Sequence, residues 1–149
     1  MIDLKKHFDK VYVINLDRRP DRYELFKEEL KKHNIEDVER YPAIDGNLTE
    51  NKTNLLPGEL GILLTHLQII RDCIKNDVKN VLILEDDVCF TDEIKNLEEY
   101  MTLVPKDWEF IYFGGNHVYG EPPERLNDKI IKLNFTVALQ CVAINGSIF

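Results

Sequence analysis

The feature that most constrains this chain is an apolar run, Val81 to Leu84, that ends abruptly in three acidic residues, Glu85 to Asp87. A second apolar run begins at Val11, and we extend its predicted strand to Leu16. Continuous apolar runs of this length are typical of strands buried on both faces of a parallel sheet. We therefore predict that these two segments are neighbouring central strands of an α/β domain.

Helical patterns separate the predicted strands. Helices are predicted from Pro20, from Pro57 and from Thr91, and Pro105 ends the third. The alternation indicates a Rossmann-type, mostly parallel sheet flanked by helices, with extra β strands, expected to be antiparallel, towards the C-terminus. The predicted strands cover residues 11–16, 38–44, 81–84, 108–113, 129–133 and 137–144.

The chain of 149 residues has the length of one domain and contains no internal repeat or linker. We therefore treat residues 1–149 as a single domain. After Gly146 the chain stops where another helix is expected, which predicts a domain that is short on its C-terminal side.

The helix that begins at Pro57 carries apolar residues on two faces. We expect it to be covered on two sides, with Ile62, His66 and Ile69 on the second face. The predicted core face contains Leu60, Leu63, Leu64, Leu67, Ile70 and Ile74.

Charge limits the choice of partner. The chain has 27 acidic and 19 basic residues, a formal net charge of −8. Nucleic acid as a partner would require a basic face, so this charge argues against it. A small phosphorylated ligand stays compatible with an acidic protein if a divalent cation screens the ligand's charge.

The sequence also bears on the compartment. No apolar run is long enough to span a bilayer, and the N-terminal residues do not follow a signal-peptide pattern. The three cysteines, Cys73, Cys89 and Cys141, lie in apolar runs, which favours buried reduced thiols over a disulfide. We therefore expect a cytoplasmic protein without a transmembrane segment.

The acidic residues after Leu84 are the first candidate site. Ligands of open α/β sheets bind at the carboxyl ends of the strands. Alternation along a strand would direct Glu85 and Asp87 to one side and Asp86 to the other. Close carboxylates repel, and a hard divalent ion such as Mn²⁺ or Mg²⁺ would relieve that repulsion. The alternative is that the acids merely begin a solvated turn.

The loop after the first strand is the second candidate site. Arg18, Arg19 and Arg22 are crowded together with two aspartates, Asp17 and Asp21. Arginine forks suit phosphate oxygens, and a nucleotide typically docks at the first strand–helix turn. A solvated helix start with local ion pairs would account for the same residues. The chain has no P-loop motif, and a receiver-like regulatory domain remains a weaker alternative.

Four ordered blocks of the sequence resemble glycosyltransferase family 25, which includes lipooligosaccharide and procollagen galactosyltransferases. The opening block is Val11 to Arg22, the second is Ala43 to Gly46, and the acidic block is Val81 to Asp87. The third block is Gly58 to Leu67, in which Thr65 stands where the family usually has serine. Four blocks in order are far more specific than any single motif.

The resemblance implies a GT-A fold and an inverting, metal-dependent transfer of a hexose. The implied donor is UDP-galactose or UDP-glucose, the implied ion is Mn²⁺ (or Mg²⁺), and the implied acceptor is a saccharide or a hydroxylysine-type residue. Lipopolysaccharide biosynthesis is an implied role. Carried over by position, Asp87 and Glu85 are the metal residues, and the donor-binding residues are Asn15, Leu16, Arg18, Arg19, Arg22, Asp45, Glu85 and Asp86.

The later half of the chain resembles the family only loosely, and the catalytic base stays unassigned. Asp107, Glu109 and Glu121 are available as bases, and nothing in the sequence selects one. Gly61 and His66 match motif positions, but a lone helical histidine is more often a packing residue. The alternative to an active transferase is a shortened donor-binding module, or pseudoenzyme, that binds a nucleotide sugar or a partner without efficient transfer.

Overall fold

A computed structural model describes residues 1–115, 120–134, 136–137 and 140–149. The helices are α1 (Pro20–His33), α2 (Pro57–Lys75) and α3 (Leu97–Leu103), with 3₁₀ turns at Leu4–Lys6, Gly46–Leu48, Asp92–Asn96 and Gly146–Ile148. The strands are β1 (Ile2–Asp3), β2 (Lys10–Asn15), β3 (Ile35–Glu36), β4 (Glu39–Pro42), β5 (Asn80–Glu85), β6 (Phe110–Tyr112), β7 (Glu124–Arg125), β8 (Ile131–Lys132) and β9 (Cys141–Asn145).

The central sheet has five strands in the order β4-β2-β5-β9-β6. Strand β2 pairs in parallel with both β4 and β5, which confirms the prediction that the apolar runs beginning at Val11 and Val81 are neighbours inside the sheet. Strand β9 pairs antiparallel with both β5 and β6. The sheet is therefore mixed rather than mostly parallel, because the C-terminal strand inserts between β5 and β6.

Helices cover both faces of this sheet. Helices α1 and α3 lie on one face, where Phe26 and Leu97 pack with Val13 and Leu84 of the central strands. Helix α2 lies on the other face, and its Ile69 packs into a cluster with residues of β2, β5 and β9. Residues 81–84 are at most 2% exposed, as expected for a strand buried on both faces.

The buried residues of α2 match the prediction in part: Leu60 is buried, and burial of His66 and Ile69 confirms that the second face is covered. Leu63, Leu67 and Ile74 are exposed, whereas Gly61 and Thr65 are buried with Ile69. The reason is a close approach between α2 and the loop that follows β4. Small residues permit this approach, and it rotates the helix so that part of its leucine stripe faces outwards. Sequence periodicity counts apolar residues and cannot register that contact.

Smaller differences concern element ends. The strand predicted at 38–44 forms only over Glu39–Pro42, and the third helix begins as a 3₁₀ turn before α3. The strands predicted at 108–113 and 129–133 are shortened to β6 and β8, and β8 pairs with β7 outside the central sheet. Of the strand predicted at 137–144, residues 138–139 lie outside the described residues, and β9 runs over Cys141–Asn145.

The three cysteines are unpaired, as predicted, but they do not share one environment. Cys73 and Cys141 are buried, whereas Cys89 is exposed because it follows the turn after β5 rather than lying in the core. Within the described part of the chain, no helix is long and apolar enough to cross a membrane.

Candidate functional site

A cavity of about 220 Å³ opens at the carboxyl ends of β2 and β5, on the α2 side of the sheet. All the predicted donor-binding residues line it except Arg19. The lining residues on β2 and the loop after it are Ile14, Asn15, Leu16, Arg18 and, on α1, Arg22; the others are Ala43 to Asn47, Pro57, Gly58, Gly61, Ile62, Thr65, Glu85 and Asp86.

Strand register brings the two predicted sites together. Ile14 of β2 pairs with Glu85 of β5, and Asn15 pairs with Pro42 of β4. Three parallel neighbours therefore end at one edge of the sheet, and the loops that leave them share one rim. This is the position at which open α/β sheets bind ligands.

Two glycines hold α2 against the loop after β4 and so form one wall of the cavity. A Cβ on Gly46 would lie 1.8 Å from the carbonyl oxygen of Pro57, and one on Gly61 would lie 2.6 Å from that of Ile44. Thr65 completes the joint: its hydroxyl donates to the Gly61 carbonyl (2.7 Å) and accepts from the Ile44 N–H (2.9 Å). Gly61 therefore has a packing role, which explains why this position needs glycine.

Asp86 is held at both carboxylate oxygens. Its Oδ2 accepts from Nδ2 of Asn15 (2.7 Å), and its Oδ1 lies 3.0 Å from Nε of Arg22. Asn15 is 1% exposed, so water does not compete for this hydrogen bond. The side chain of Asp86 is only 9% exposed, so its direction is defined by these two partners.

The other two acidic residues are in different states. Asp87 is half-exposed and forms an ion pair with Nη2 of Arg22, which therefore bridges both aspartates. No hydrogen bond or ion pair joins the Glu85 side chain to another described residue, and burial, followed by repulsion from Asp87 and Asp86, raises its pKa. Among the described residues it is the carboxylate at this rim whose charge is not matched by a directly bonded cation.

The expected alternation of these acids is not kept. Strand β5 ends at Glu85, so Asp86 and Asp87 belong to a turn. Glu85 and Asp86 consequently line the same cavity instead of facing opposite sides.

Asp45 and Arg18 face each other across the cavity mouth. Nε of Arg18 lies 2.5 Å from Oδ2 of Asp45, and the other carboxylate oxygen accepts from the backbone N–H of Asn47 at 3.0 Å. The hydrogen bond from Arg18, then those from Asn47, lower the pKa of Asp45 to about 2. The pair links the first loop to the second and presents both a cation and an anion to a ligand.

Arg19 lies apart from the cavity, since its guanidinium donates to Asp21. Arg40, which no sequence motif singled out, instead contacts the site: its Nε donates to Oδ1 of Asn15 at 2.9 Å. On the sequence alone, Arg40 is one charged residue in the pattern of a short strand. Only the pairing of β4 with β2 places it beside Asn15.

The remaining motif and base candidates lie outside the cavity. His66 is buried on α2, its Nδ1 lies 2.9 Å from the Ile62 carbonyl, and burial lowers its pKa. These contacts agree with a packing role. Asp107, Glu109 and Glu121 are exposed and do not line the cavity, so the structure selects none of them as the base.

A divalent ion fits this site only if a ligand helps to hold it. No group of three or more potential metal ligands occurs in the described part of the chain, and both oxygens of Asp86 are already engaged. Glu85 and Asp87 remain as oxygen donors. Mg²⁺-like ions are commonly bound by one or two carboxylates together with substrate phosphates and water. The donor set therefore suits an ion shared with a diphosphate.

A larger cavity of about 310 Å³ lies on the opposite face of the sheet. Its lining is mostly apolar, with Phe8, Leu82 and Leu97 among the contributors, and it contains none of the predicted site residues. The smaller, polar cavity is therefore the candidate functional site.

An α/β sheet with arginines and carboxylates around one cavity at its strand ends is typical of proteins that bind phosphorylated ligands. Comparison with known sequences shows which family within this class of proteins the chain belongs to. The sequence profile described as "Glycosyltransferase family 25 (LPS biosynthesis protein)" matches residues 8–141. The chain belongs to glycosyltransferase family 25.

Several curated relatives are galactosyltransferases by name. Procollagen galactosyltransferase 2 of Mus musculus is 30% identical over a match that covers 87% of this chain and 24% of the relative. Procollagen galactosyltransferase 1 of Danio rerio is also 30% identical, over 87% of this chain and 25% of the relative. Inactive glycosyltransferase 25 family member 3 of Homo sapiens is 30% identical over 76% of this chain. The chain spans about a quarter of the length of these curated relatives.

Proposed function

We propose that this chain carries the donor-binding part of a GT-A-like, metal-dependent hexosyltransferase. The proposed reaction is inverting transfer of galactose or glucose from a UDP-sugar to a saccharide or hydroxylysine-type acceptor. One observation carries the proposal: Arg18, Arg22, Asp45 and Glu85, distant in sequence, line one cavity at the ends of parallel strands. Family membership supplies the reaction class, and the profile description and relatives' names support lipopolysaccharide or procollagen acceptors.

The charged residues around the cavity have different proposed roles. The guanidinium of Arg22 is suited to diphosphate oxygens, because it lies at the rim beside both aspartates. Asp45, ionised over the physiological range, is suited to accept hydrogen bonds from ribose hydroxyls or the base. Glu85 and Asp87 would hold the divalent ion. Bound there, that ion would offset the negative charge of the leaving diphosphate.

Inversion at the sugar carbon requires a base that takes the proton of the acceptor hydroxyl during a direct displacement. No carboxylate or histidine beyond those assigned to the donor lines the cavity among the described residues. We therefore leave the base unassigned and propose that acceptor residues lie elsewhere in the functional protein. Placement in the cytoplasm stays a prediction that rests on the three unpaired cysteines.

A second candidate function is donor binding without efficient transfer. The curated human relative named as an inactive family member supports this candidate, as does the lack of a base among the described lining residues. The two candidates differ only after the donor has bound. Release of UDP from UDP-galactose or UDP-glucose, with and without a panel of saccharide and hydroxylysine acceptors, separates them.

Calorimetry tests the shared step. We expect UDP to bind at least tenfold more tightly with Mn²⁺ than without it, because the positive charge of the ion and the negative charge of the diphosphate neutralise each other. Asp87→Ala should abolish this difference without unfolding the protein, since Asp87 is half-exposed in a turn. Asp92→Ala, which removes an exposed carboxylate paired with Lys95, is the control and should behave like the wild type. Equal UDP affinity with and without Mn²⁺ would refute the metal-dependent part of the proposal.

A further inference from the structure

We infer that Arg40 is a positioning residue for the acidic end of β5. It orients the side-chain amide of Asn15, and that amide in turn holds Asp86 at the rim of the cavity. The inference rests on the proposed function only where it concerns ligand affinity. Its structural part, a coupling of Arg40 to Asp86 through Asn15, can be tested without any ligand.

The hydrogen bonds of Asn15 define one orientation of its amide. Oδ1 accepts from Nε of Arg40 (2.9 Å), while Nδ2 donates to Oδ2 of Asp86 (2.7 Å) and to the carbonyl of Arg19 (2.9 Å). Rotating the amide by 180° would turn its oxygen towards the carboxylate and the carbonyl, and its NH₂ towards the guanidinium. Each of these contacts would then be repulsive, so the network permits a single orientation.

Burial makes this orientation costly to lose. Asn15 is 1% exposed, and buried polar groups that lose their partners are not rescued by water. The Arg40 guanidinium is itself fixed by two further contacts. Its Nη2 also donates to the Asn15 carbonyl (3.2 Å), and its Cζ lies 5.6 Å from the Tyr23 ring centroid. A planar fork can serve Oδ1 and the carbonyl together. An ammonium group on a flexible stem is much less suited to that task.

The outer contact of Arg40, its ion pair with Asp17, contributes less to holding the guanidinium. Nη2 also lies 2.7 Å from Oδ1 of Asp17, but that aspartate side chain is 79% exposed, and ion pairs of this kind contribute little. Asp17→Asn therefore isolates the outer contact from the inner one. If Arg40 acts through Asn15, removing the charge of Asp17 should leave the site almost unchanged.

The first experiment measures thermal unfolding of the free protein. Arg40→Met, Asp86→Ala and the double variant are compared in the wild-type background and again with Asn15→Ala. We expect the double variant to lower Tm by clearly less than the sum of the single shifts, and this coupling to vanish with Asn15→Ala. Additive shifts in both backgrounds would overturn the inference. If Arg40→Met does not fold, Arg40→Lys takes its place in the same cycle.

The second experiment measures UDP affinity by calorimetry in the presence of Mn²⁺, well below every Tm. Arg40→Met should weaken binding by about tenfold or more, because Asp86 loses its fixed direction. Arg40→Lys should not restore it, and Asn15→Asp should also weaken it, since a carboxylate cannot donate to Asp86. If Arg40 acted only through its charge or its bulk, UDP affinity would instead be close to that of the wild type in Arg40→Lys.

Glu39→Gln is the matched control, because Glu39 is the neighbouring residue of β4 and pairs with Lys5 and Lys10 away from the cavity. It should lower Tm slightly and leave UDP affinity within twofold. Wild-type affinity in Arg40→Met would overturn the functional part of the inference. If the wild type itself does not bind UDP, the proposed function fails, and the Tm cycle alone decides whether Arg40 positions Asp86.

Discussion

The side chain of Asn15 donates a 2.7 Å hydrogen bond to the carboxylate of Asp86, which lies 71 positions further along the chain. Asn15 is the last residue of β2 and Asp86 directly follows β5, its parallel neighbour, so the bond joins the carboxyl ends of the two strands. Both belong to sequence blocks that resemble the family, one in the opening block and one in the acidic block. Their contact joins the two blocks at one edge of the sheet.

Arg22 should affect metal and nucleotide binding in opposite directions. In the free protein its guanidinium bridges Asp86 and Asp87, so a cation alone must compete with it. We expect Arg22→Gln to bind Mn²⁺ alone several-fold more tightly and Mn²⁺–UDP about tenfold or more weakly, since a charged hydrogen-bond donor to the diphosphate is lost. Calorimetric titration of each ligand checks this. Lys27→Gln, on the same helix, is the control; parallel changes in both affinities for Arg22→Gln would contradict the prediction.

Glu85 should destabilise the free protein at neutral pH. Burial and the neighbouring aspartates raise its pKa, so folding favours the protonated form, and the ionised form carries a penalty once the pH exceeds the folded pKa. Glu85→Gln should therefore raise Tm at pH 7 but not at pH 3.5, where the carboxyl is protonated in both states. Glu98→Gln is the contrast, because Lys6 lowers the pKa of Glu98, and its loss should lower Tm at pH 7. A lower Tm for Glu85→Gln at pH 7 would show that the charge is compensated.

Substitution of Gly46 or Gly61, which are close-packed, should destabilise the protein far more than substitution of Gly58. Gly61→Ala and Gly46→Ala each drive a methyl group into backbone atoms, which should cost about 1–3 kcal/mol or more of unfolding free energy. Gly58→Ala meets no atom within 4 Å and lies in the first turn of α2, so its stability should be unchanged or slightly higher. Urea unfolding of the three variants measures this. Equal effects would mean that α2 does not approach the loop so closely.

The three thiols should react with alkylating reagents at very different rates. Cys89 is exposed, whereas burial raises the pKa of Cys73 to about 11 and that of Cys141 to about 12. The thiolate is the nucleophile, so the two buried residues are both shielded and almost entirely protonated at pH 8. Mass spectrometry after iodoacetamide treatment should find one modified cysteine in the native protein and three in urea. Modification of Cys141 in the native protein would contradict its burial.

Sequence alone was sufficient for the elements whose pattern reflects local physics. The apolar runs at Val11 and Val81 identified the two central strands, because a strand buried on both faces must be apolar at every position. Proline at the first turn located α1 and α2 to the residue. The acidic block and the arginine-rich loop were found because charges at strand ends are rarely needed for packing, and resemblance to the family ordered them into one site.

Only the tertiary structure determined how these pieces meet. Periodicity predicted Leu63, Leu67 and Ile74 of α2 in the core, but they are exposed, since a helix packed through Gly61 and Thr65 is governed by backbone approach rather than by apolar count. The insertion of β9 between β5 and β6 and the role of Arg40 depend on strand pairings between residues distant in sequence, and no local pattern records these. The different states of Glu85, Asp86 and Asp87 arise in the same way. Strand β5 ends at Glu85, so the three carboxylates lie in different surroundings, and Arg22 and Asn15 contact only Asp86 and Asp87.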